Sequence, residues 1–351
     1  MAEPEILFDR RGAAGLVTLN RPQALNAVTL EMVRALTRQL DAWAADGAVT
    51  RVVVDAAGGR AFSAGGDIRA LYDLGQAGRQ REALAFWREE YALNTKIKRY
   101  RKPYVALIDG IVMGGGVGLS VHGSHRVAGD KYVFAMPEVS IGFFPDVGAT
   151  WFLPRLPGEL GSYCALTGER LKAADGVAAT VATHRVASAR FAELRDALCG
   201  AVSVDAILAA FAEPVPAAAL APNRAAIDRC FAHERVEDVL AALDREAGAG
   251  GADAAFAAAI AKNIRTKSPT SLKLALAQMR IGAKLTFDAC MQTEFRIVSR
   301  IIHGHDFYEG VRAVIIDKDN VPRWQPGRLE DVTPAELERH FAPLADELVL
   351  P

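Results

Sequence analysis

Cysteines are few in this sequence and lie far apart. Of 351 residues only four are cysteine, at Cys164, Cys199, Cys230 and Cys290, and none belongs to a CxxC pair. This spacing argues against a disulfide framework or a zinc site and fits a reducing compartment. The first residues, MAEPEILFDRRG, have no apolar stretch and are acidic early, unlike a secretory signal or a transit peptide. We therefore expect a cytoplasmic protein.

Long apolar runs and an excess of one charge are also missing. No apolar run reaches about 18 residues, so no membrane span is expected. The 41 Lys and Arg residues balance 42 Asp and Glu residues, which argues against a nucleic acid or an anionic membrane as the main partner. An acidic small molecule stays compatible with this balance. With 51% hydrophobic residues the chain can build one large or two smaller domains.

Strand and helix patterns alternate in the N-terminal part. Residues 15–19, GLVTL, and 51–55, RVVVD, are typical of strands. Between them Thr29 is a candidate helix N-cap, and apolar residues recur at helical spacing from there to Asp46. Such strand–helix–strand units predict a mainly parallel sheet that is covered by helices.

The C-terminal third shows helical patterns. Ser268, followed by proline, predicts a helix start, and Asp306 with Glu309 predicts a capping box for a further short helix. The Pro- and Ala-rich connection EPVPAAALAPNR marks a boundary. It divides the chain into a core, residues 1–212, and a helical region, residues 213–351, that we expect to pack on the core.

One carboxylate lies within an apolar helical stripe. In the helical pattern that starts near residue 81, Phe86, Glu90, Leu93 and Ile97 share one face. A glutamate that faces the core needs a partner or a chemical task. The alternative is an amphipathic helix from which Glu90 leans out to solvent.

Glycines cluster in two places between strands and apparent helices. Gly114, Gly115, Gly116 and Gly118 follow the strand YVALI, and AFSAGGDI at 61–68 holds two more. Glycine lets another group approach the backbone closely, and the first turn of a helix has unpaired N–H groups. Neither the dinucleotide fingerprint nor a Walker A loop fits the spacing. Tight helix–strand packing is the alternative explanation.

Several polar residues near the glycines are interpreted as structural. Asp67 is expected to cap the helix that follows it. Ser120 does not fit the G-x-S-x-G nucleophile elbow. His122 and His125 lack the spacing of a metalloprotease site.

Two acids, Glu138 and Asp146, lie in an apolar loop. Glu138 follows a proline, and Asp146 follows the segment FFP. Acids in apolar surroundings tend to have raised pKa values, which suits acid–base work near neutral pH. The alternative is that both residues only cap turns.

Beyond these acids, longer segments resemble the crotonase (enoyl-CoA hydratase/isomerase) superfamily. The similarity rests on NRPQALNAVT at 20–29, AFSAGGDI at 61–68 and IDGIVMGGGVGLS at 108–120. Within it, FAMPEVSIGFFPDVG at 134–148 and HDFYEGVRA at 305–313 most resemble the 3-hydroxyisobutyryl-CoA hydrolases. The resemblance implies an α/β architecture, the crotonase (ClpP/crotonase-like) fold of repeated ββα units, with a helical C-terminal region.

The resemblance also implies roles for individual residues. The backbone N–H groups of Gly66 and Gly115 would form an oxyanion hole, in which one donor is typically worth about 3 kcal/mol. Glu138 and Asp146 match the catalytic acids. Together with Glu90 and Gly115, these two acids would also contact the substrate. Neither a metal nor a redox cofactor is implied, because CoA is part of the substrate.

One departure from the superfamily separates two chemistries. Enoyl-CoA hydratases carry a catalytic glutamate in the helix after the glycines, where this chain has Gly118. The hydrolase pattern places its second acid at Asp146 instead. We therefore expect hydrolysis of a short 3-hydroxyacyl-CoA such as 3-hydroxyisobutyryl-CoA, a step of valine breakdown. The alternatives are a hydratase or isomerase of the same fold and a non-catalytic acyl-CoA-binding relative.

The expected partner is an acyl-CoA small molecule, with neither a nucleic acid nor a membrane as a partner. Arg21, Arg69 and Lys267 are candidates for binding the CoA phosphates. Because crotonase relatives often form trimers or hexamers, a homo-oligomer of either kind is also expected.

Overall fold

The computed structural model describes residues 3–351 and builds two β-sheets from the first part of the chain. The strands are β1 (Ile6–Arg11), β2 (Ala14–Leu19), β3 (Arg51–Ala56), β4 (Ala61–Ser63), β5 (Tyr104–Ile108), β6 (Ile111–Met113), β7 (His125–Ala128), β8 (Val133–Ala135), β9 (Leu171–Lys172) and β10 (His184–Arg185). The larger sheet has the order β1-β2-β3-β5-β7-β10, and the smaller one has the order β4-β6-β8-β9.

Successive strands from β3 to β8 alternate between the two sheets. In the larger sheet β1 and β2 form an antiparallel hairpin, and the remaining pairs are parallel. In the smaller sheet only β8 and β9 are antiparallel. Parallel neighbours need a crossover connection, and each crossover between β3 and β7 includes a strand of the other sheet. The predicted parallel sheet and the repeated units are confirmed.

Helices cover the sheets and make up most of the C-terminal region. They are α1 (Leu30–Ala45), α2 (Ile68–Gln76), α3 (Gln80–Lys98), α4 (Gly115–Gly118), α5 (Ala149–Phe152), α6 (Leu160–Thr167), α7 (Ala173–Ala178), α8 (Phe191–Ala197), α9 (Val204–Phe211), α10 (Arg224–Phe231), α11 (Val236–Gly248), α12 (Ala254–Ile264), α13 (Pro269–Gly282), α14 (Phe287–Ile301), α15 (His305–Val311) and α16 (Pro334–Phe341). A π-helical turn, Arg312–Ile316, continues α15.

Three helix starts follow the predicted capping chemistry. Thr29 accepts a hydrogen bond from the Met32 amide at the start of α1, and Asp67 accepts one from the Ala70 amide at the start of α2. Ser268 caps α13 by accepting from the Ser271 amide. In each case the side-chain oxygen satisfies a backbone N–H that has no partner within the helix.

The predicted capping box of Asp306 and Glu309 is wrong. Helix α15 starts after Gly304 without a side-chain cap. Asp306 instead accepts hydrogen bonds from the Ser268 hydroxyl at 2.6 Å and the Gln325 amide at 2.7 Å. Glu309 accepts two hydrogen bonds from Arg312. Donors from distant segments thus hold Asp306, and the nearby Arg312 side chain holds Glu309, in place of the backbone amides of the first turn.

One apolar core cluster extends from the sheets into the C-terminal helices. It includes Val17 and Phe134 of the sheets and Leu272 and Val298 of α13 and α14. A smaller cluster, with α8 and α9, covers the opposite face of the larger sheet. The boundary between residues 212 and 213 stays a prediction. None of the helices in residues 3–351 has the length and apolar composition needed to cross a membrane.

Candidate active site

A cleft of about 760 Å³ opens between the glycine turns, α3 and the loop after β8. All five residues that the sequence singled out for chemistry line it: Gly66, Glu90, Gly115, Glu138 and Asp146. These five residues come from separate parts of the chain, and the fold brings them together at one cleft.

The two glycine turns face each other at this cleft. Gly65 has a φ of 118° and Gly114 a φ of 44°, conformations that favour glycine. A methyl group placed on Gly115 would lie 3.1 Å from the Gly66 nitrogen, so the two turns are in contact. Within residues 3–351, neither the Gly66 nor the Gly115 amide donates to a backbone acceptor. Two free N–H groups are therefore available for an anionic oxygen.

Glu90 lies on the inner face of α3, and the alternative that it leans out to solvent is wrong. Its side chain is buried, and a methyl group on Gly115 would approach its Oε1 atom to 2.5 Å. Burial, followed by the charges of Asp146 and Glu294, raises the pKa of Glu90 well above the usual value. Oε1 has no hydrogen-bond partner in the described chain, so Glu90 can bind a polar group of a ligand.

Glu138 begins a short 3₁₀ turn, Glu138–Ile141, directly after β8 and a proline. Its Oε1 atom would lie 3.3 Å from a methyl group on Gly114, and its buried Oε2 atom has no partner in the described residues. Burial and the Asp146 charge raise the pKa of Glu138 well above the usual value. Glu138 is thus a buried acid with an unused oxygen beside the glycine turns.

Asp146 ends the same loop and is held by a tyrosine. Tyr91, next to Glu90 on α3, donates a hydrogen bond of 2.8 Å from its hydroxyl to Asp146 Oδ2. Burial raises the pKa of Asp146 to about 7, although the Tyr91 hydrogen bond acts in the opposite direction. Asp146 can therefore hold or release a proton near neutral pH.

Sequence reasoning missed Tyr91 and Glu294. Glu294, on α14, is fully buried and accepts hydrogen bonds from the Gly148 and Thr150 amides, two and four residues after Asp146. A signal for Glu294 was present, because it falls three residues after Met291 on an apolar stripe, as Glu90 does on its own helix. Tyr91 carried no such signal.

The residues interpreted as structural have structural partners. Ser120 donates from its hydroxyl to the Gly116 carbonyl. His122 donates from Nε2 to the Val147 carbonyl at 2.7 Å, and burial lowers the pKa of His122 to about 4, which keeps the ring neutral. His125 contacts Asp205 at the surface.

Gly118, at the position of the hydratase glutamate, leaves no room for a side chain. An added methyl group would lie 2.7 Å from Asn94 Nδ2 and 2.8 Å from Val147 Cβ. Asn94 is fully buried one helical turn after Glu90. The space that a glutamate side chain would need at this position is therefore filled by neighbouring side chains.

Of the three basic residues expected at the phosphates, only Arg69 lines the cleft. Arg21 is bound by Glu5 and Asp67, and Lys267 lines a separate cavity. Lys318, which follows the π-helical turn, lines the cleft and was not predicted. Arg69 and Lys318 are both exposed, so they are the better candidates for binding a polyanion.

Known proteins resemble this chain over nearly its whole length. Residues 14–341 match the family described as enoyl-CoA hydratase/isomerase. The chain belongs to this family. A member from Danio rerio, 3-hydroxyisobutyryl-CoA hydrolase, mitochondrial, is 45% identical over 98% of this chain and 91% of its own length. The Homo sapiens protein of the same name is 43% identical over 98% of this chain and 90% of its own length.

Solved structures of family members confirm the predicted crotonase fold. A carnitinyl-CoA dehydratase from Mycobacterium thermoresistibile aligns over 99% of both chains, with a TM-score of 0.92 and 42% identity. An enoyl-CoA hydratase from Rhodobacter sphaeroides 2.4.1 covers 99% of this chain and 100% of its own, with a TM-score of 0.91 and 38% identity.

The predicted cytoplasmic location is wrong. The relatives from Danio rerio, Xenopus laevis, Homo sapiens and Rattus norvegicus are all named as mitochondrial proteins. The scattered cysteines are compatible with several reducing compartments, so they could not distinguish among them.

Proposed function

We propose that this member of the enoyl-CoA hydratase/isomerase family hydrolyses 3-hydroxyisobutyryl-CoA to 3-hydroxyisobutyrate and CoA, as a step of valine breakdown. The observation that carries the proposal is the cleft in which the free amides of Gly66 and Gly115 face the buried acids Glu138 and Asp146. The hydrolase names of relatives that match nearly the whole chain support the same activity.

The oxyanion hole acts first in this mechanism. The thioester oxygen accepts hydrogen bonds from the Gly66 and Gly115 amides, and negative charge grows on that oxygen when the carbonyl carbon is attacked. Fixed backbone donors stabilise this charge without having to reorganise.

Glu138 then acts as a carboxylate by one of two routes. It removes a proton from a water molecule whose oxygen attacks the carbonyl carbon, or it attacks that carbon itself and forms a mixed anhydride that water cleaves. In both routes the C–S bond breaks and the CoA thiolate takes a proton. A single turnover in ¹⁸O-labelled water distinguishes them, because only the anhydride route can leave the label in the Glu138 carboxyl group.

Asp146 and Glu90 act on the rest of the substrate. Asp146, with a pKa of about 7, holds a proton near neutral pH and passes it to the thiolate. Glu90, whose pKa is raised by burial, binds the 3-hydroxyl group through its free Oε1 atom. Water and these acids suffice for the chemistry, so the proposed reaction uses no metal or redox cofactor.

The test is a thiol-release assay with a panel of short acyl-CoA esters. Wild-type protein should cleave 3-hydroxyisobutyryl-CoA, and Glu138→Gln and Asp146→Asn should each lower kcat by roughly 10²- to 10⁴-fold. Glu89→Gln is the matched control, because Glu89 contacts Arg34 near the surface and should leave kcat unchanged. Full activity in either acid variant would remove that residue from the mechanism.

The second candidate is hydration or isomerisation of an enoyl-CoA, the chemistry named for the Rhodobacter sphaeroides relative. The filled space at Gly118 argues against it, since no second glutamate can reach the cleft from there. Loss of the crotonyl-CoA absorbance on mixing would favour this candidate. Tight binding of CoA esters without turnover of any would instead favour a non-catalytic relative.

Association into a trimer or hexamer stays a prediction. Light scattering coupled to size exclusion would measure the mass in solution, and a monomer would contradict the prediction.

A further inference from the structure

A strained turn carries Asp146 into the cleft. Val147 has a φ of 53°, in the left-handed region that β-branched residues rarely adopt. Gly148 follows with a φ of 88°. A backbone in such a conformation persists only when its surroundings hold it there, so the contacts of this turn matter for the position of Asp146.

Two buried side chains from the C-terminal helices hold the turn. Glu294 of α14 accepts 2.8 Å hydrogen bonds from the Gly148 amide at Oε2 and from the Thr150 amide at Oε1. Gln278 of α13 donates from Nε2 to the Pro145 carbonyl at 3.1 Å and to Thr150 Oγ1 at 2.8 Å. Glu294 is ionisable, whereas the Gln278 amide is neutral at every pH considered.

Glu294 also lies among other acids. Burial and the Asp146 charge raise the pKa of Glu294 to about 8, whereas its hydrogen bonds from the turn favour the charged form. It therefore changes charge in the range where Asp146 does. The groups whose pKa its charge raises are all acidic: Glu90 and Tyr91 of α3, Glu138 of the loop, and Cys290 of α14.

We propose that Glu294 is a positioning residue for the hydrolysis. It fixes the turn that carries Asp146 through two backbone amides, and its negative charge opposes the loss of protons from the acids at the cleft. The inference rests on the proposed function but assigns a role to a residue that does not line the cleft. Gln278 supports the same turn without the effect of charge.

The experiment compares Glu294→Gln with Gln278→Met as the neutral matched control. Glu138 is followed by NMR in protein labelled with ¹³C at the glutamate carboxyl groups, and its signal is the one missing from Glu138→Gln. In Glu294→Gln the Glu138 titration midpoint should fall, because a like charge that raises its pKa has been removed. In Gln278→Met the midpoint should stay at the wild-type value.

Steady-state kinetics give the second measurement. Both variants should lower kcat by roughly 10- to 100-fold through displacement of the turn, with KM changed less than about twofold. Only Glu294→Gln should also move the acidic limb of the pH–rate profile to lower pH, because Glu138 must lose its proton to act. If Glu294→Gln does not fold, Glu294→Asp replaces it, since a shorter carboxylate keeps the charge but not the contacts. In Glu294→Asp kcat should fall, while the titration midpoint followed by NMR should stay at the wild-type value.

The outcomes separate this inference from the proposed function. A Glu138 midpoint that is unmoved in Glu294→Gln, or that moves equally in Gln278→Met, overturns the role of the charge. Wild-type kcat in Glu294→Asp overturns the positioning role. If wild-type protein cleaves none of the esters, the proposed function fails, while the titration still decides whether Glu294 acts on Glu138.

Discussion

The Tyr91 hydroxyl donates a hydrogen bond of 2.8 Å to Asp146 Oδ2, and both side chains are buried. The bond joins α3, which also carries Glu90, to the end of the loop that starts at Glu138. Since it stabilises the carboxylate form, it limits how far burial raises the pKa of Asp146. Tyr91 thus helps to keep this acid near the neutral range.

Tyr91→Phe should raise the pKa of Asp146 above its value of about 7, because the carboxylate loses its hydrogen-bond donor. The limb of the pH–rate profile that Asp146 governs should move to higher pH, with kcat reduced roughly tenfold. Tyr104→Phe is the control, since that buried hydroxyl donates to the Leu119 carbonyl. A pH–rate profile that does not shift in Tyr91→Phe, or that shifts equally in Tyr104→Phe, would contradict the role of Tyr91 in setting the pKa of Asp146.

Gly115→Ala should nearly abolish turnover. The added methyl group would lie 2.5 Å from Glu90 Oε1 and 3.1 Å from the Gly66 nitrogen, so one oxyanion donor must move. We expect kcat to fall by roughly 10²- to 10³-fold. Gly47→Ala meets no atom within 4 Å and should leave kcat unchanged. Wild-type kcat in Gly115→Ala would show that its amide does not hold the thioester oxygen.

Arg69→Ala and Lys318→Ala should each raise KM for the CoA ester by roughly three- to tenfold, because each removes an exposed cation at the cleft. The effect should shrink at high salt. KM for an N-acetylcysteamine thioester, which has no phosphates, should not change. Lys267→Ala alters a different cavity and serves as the control; a comparable rise there would mean that the effect is not local.

The unfolding free energy should fall as pH rises from 5 to 8, and Asp146→Asn should make this fall shallower. Folded Asp146 has a pKa of about 7, against about 4 for an unfolded aspartate. Between these values the folded state holds a proton that the unfolded state has lost. Its stabilisation is complete below about pH 4 and is lost as pH rises through 7. Urea denaturation measures both slopes, and equal slopes would rule out the shift.

Gly118→Ala should destabilise the protein by about 1–3 kcal/mol through overpacking against Asn94 and Val147. Asn94→Ala, which removes the nearest contact, should recover part of this loss in the double variant. Urea denaturation of the two single variants and the double variant measures the coupling. Additive changes would mean that Asn94 does not restrict position 118.

Local patterns in the sequence predicted what local chemistry decides. Thr29, Asp67 and Ser268 cap helices as expected because each bonds an amide a few residues ahead. The apolar stripe around Glu90 left the direction of this acid open, and its burial in the structure shows that it faces inward. The predicted capping box at Asp306 failed because the donors to this carboxylate, Ser268 and Gln325, lie 38 and 19 residues away, beyond the reach of a local pattern.

Contacts between distant segments could not be predicted in this way. Tyr91 and Asp146 are 55 residues apart, and Glu294 lies 146 residues from the Gly148 amide that it accepts from. Lys318 follows a π-helical turn, for which the sequence offers no recognisable spacing. The resemblance to a family supplied the residues at the cleft, but only the fold shows which side chains support them.

The close packing around Gly118 also bears on how this lineage can change. An acid introduced there by a single substitution would be overpacked, because the Asn94 amide and the Val147 side chain already fill the space. A change toward addition of water to a double bond would therefore also need replacements at Asn94 and Val147. Selection is expected to disfavour the overpacked intermediate and so to keep descendants of this protein on thioester cleavage.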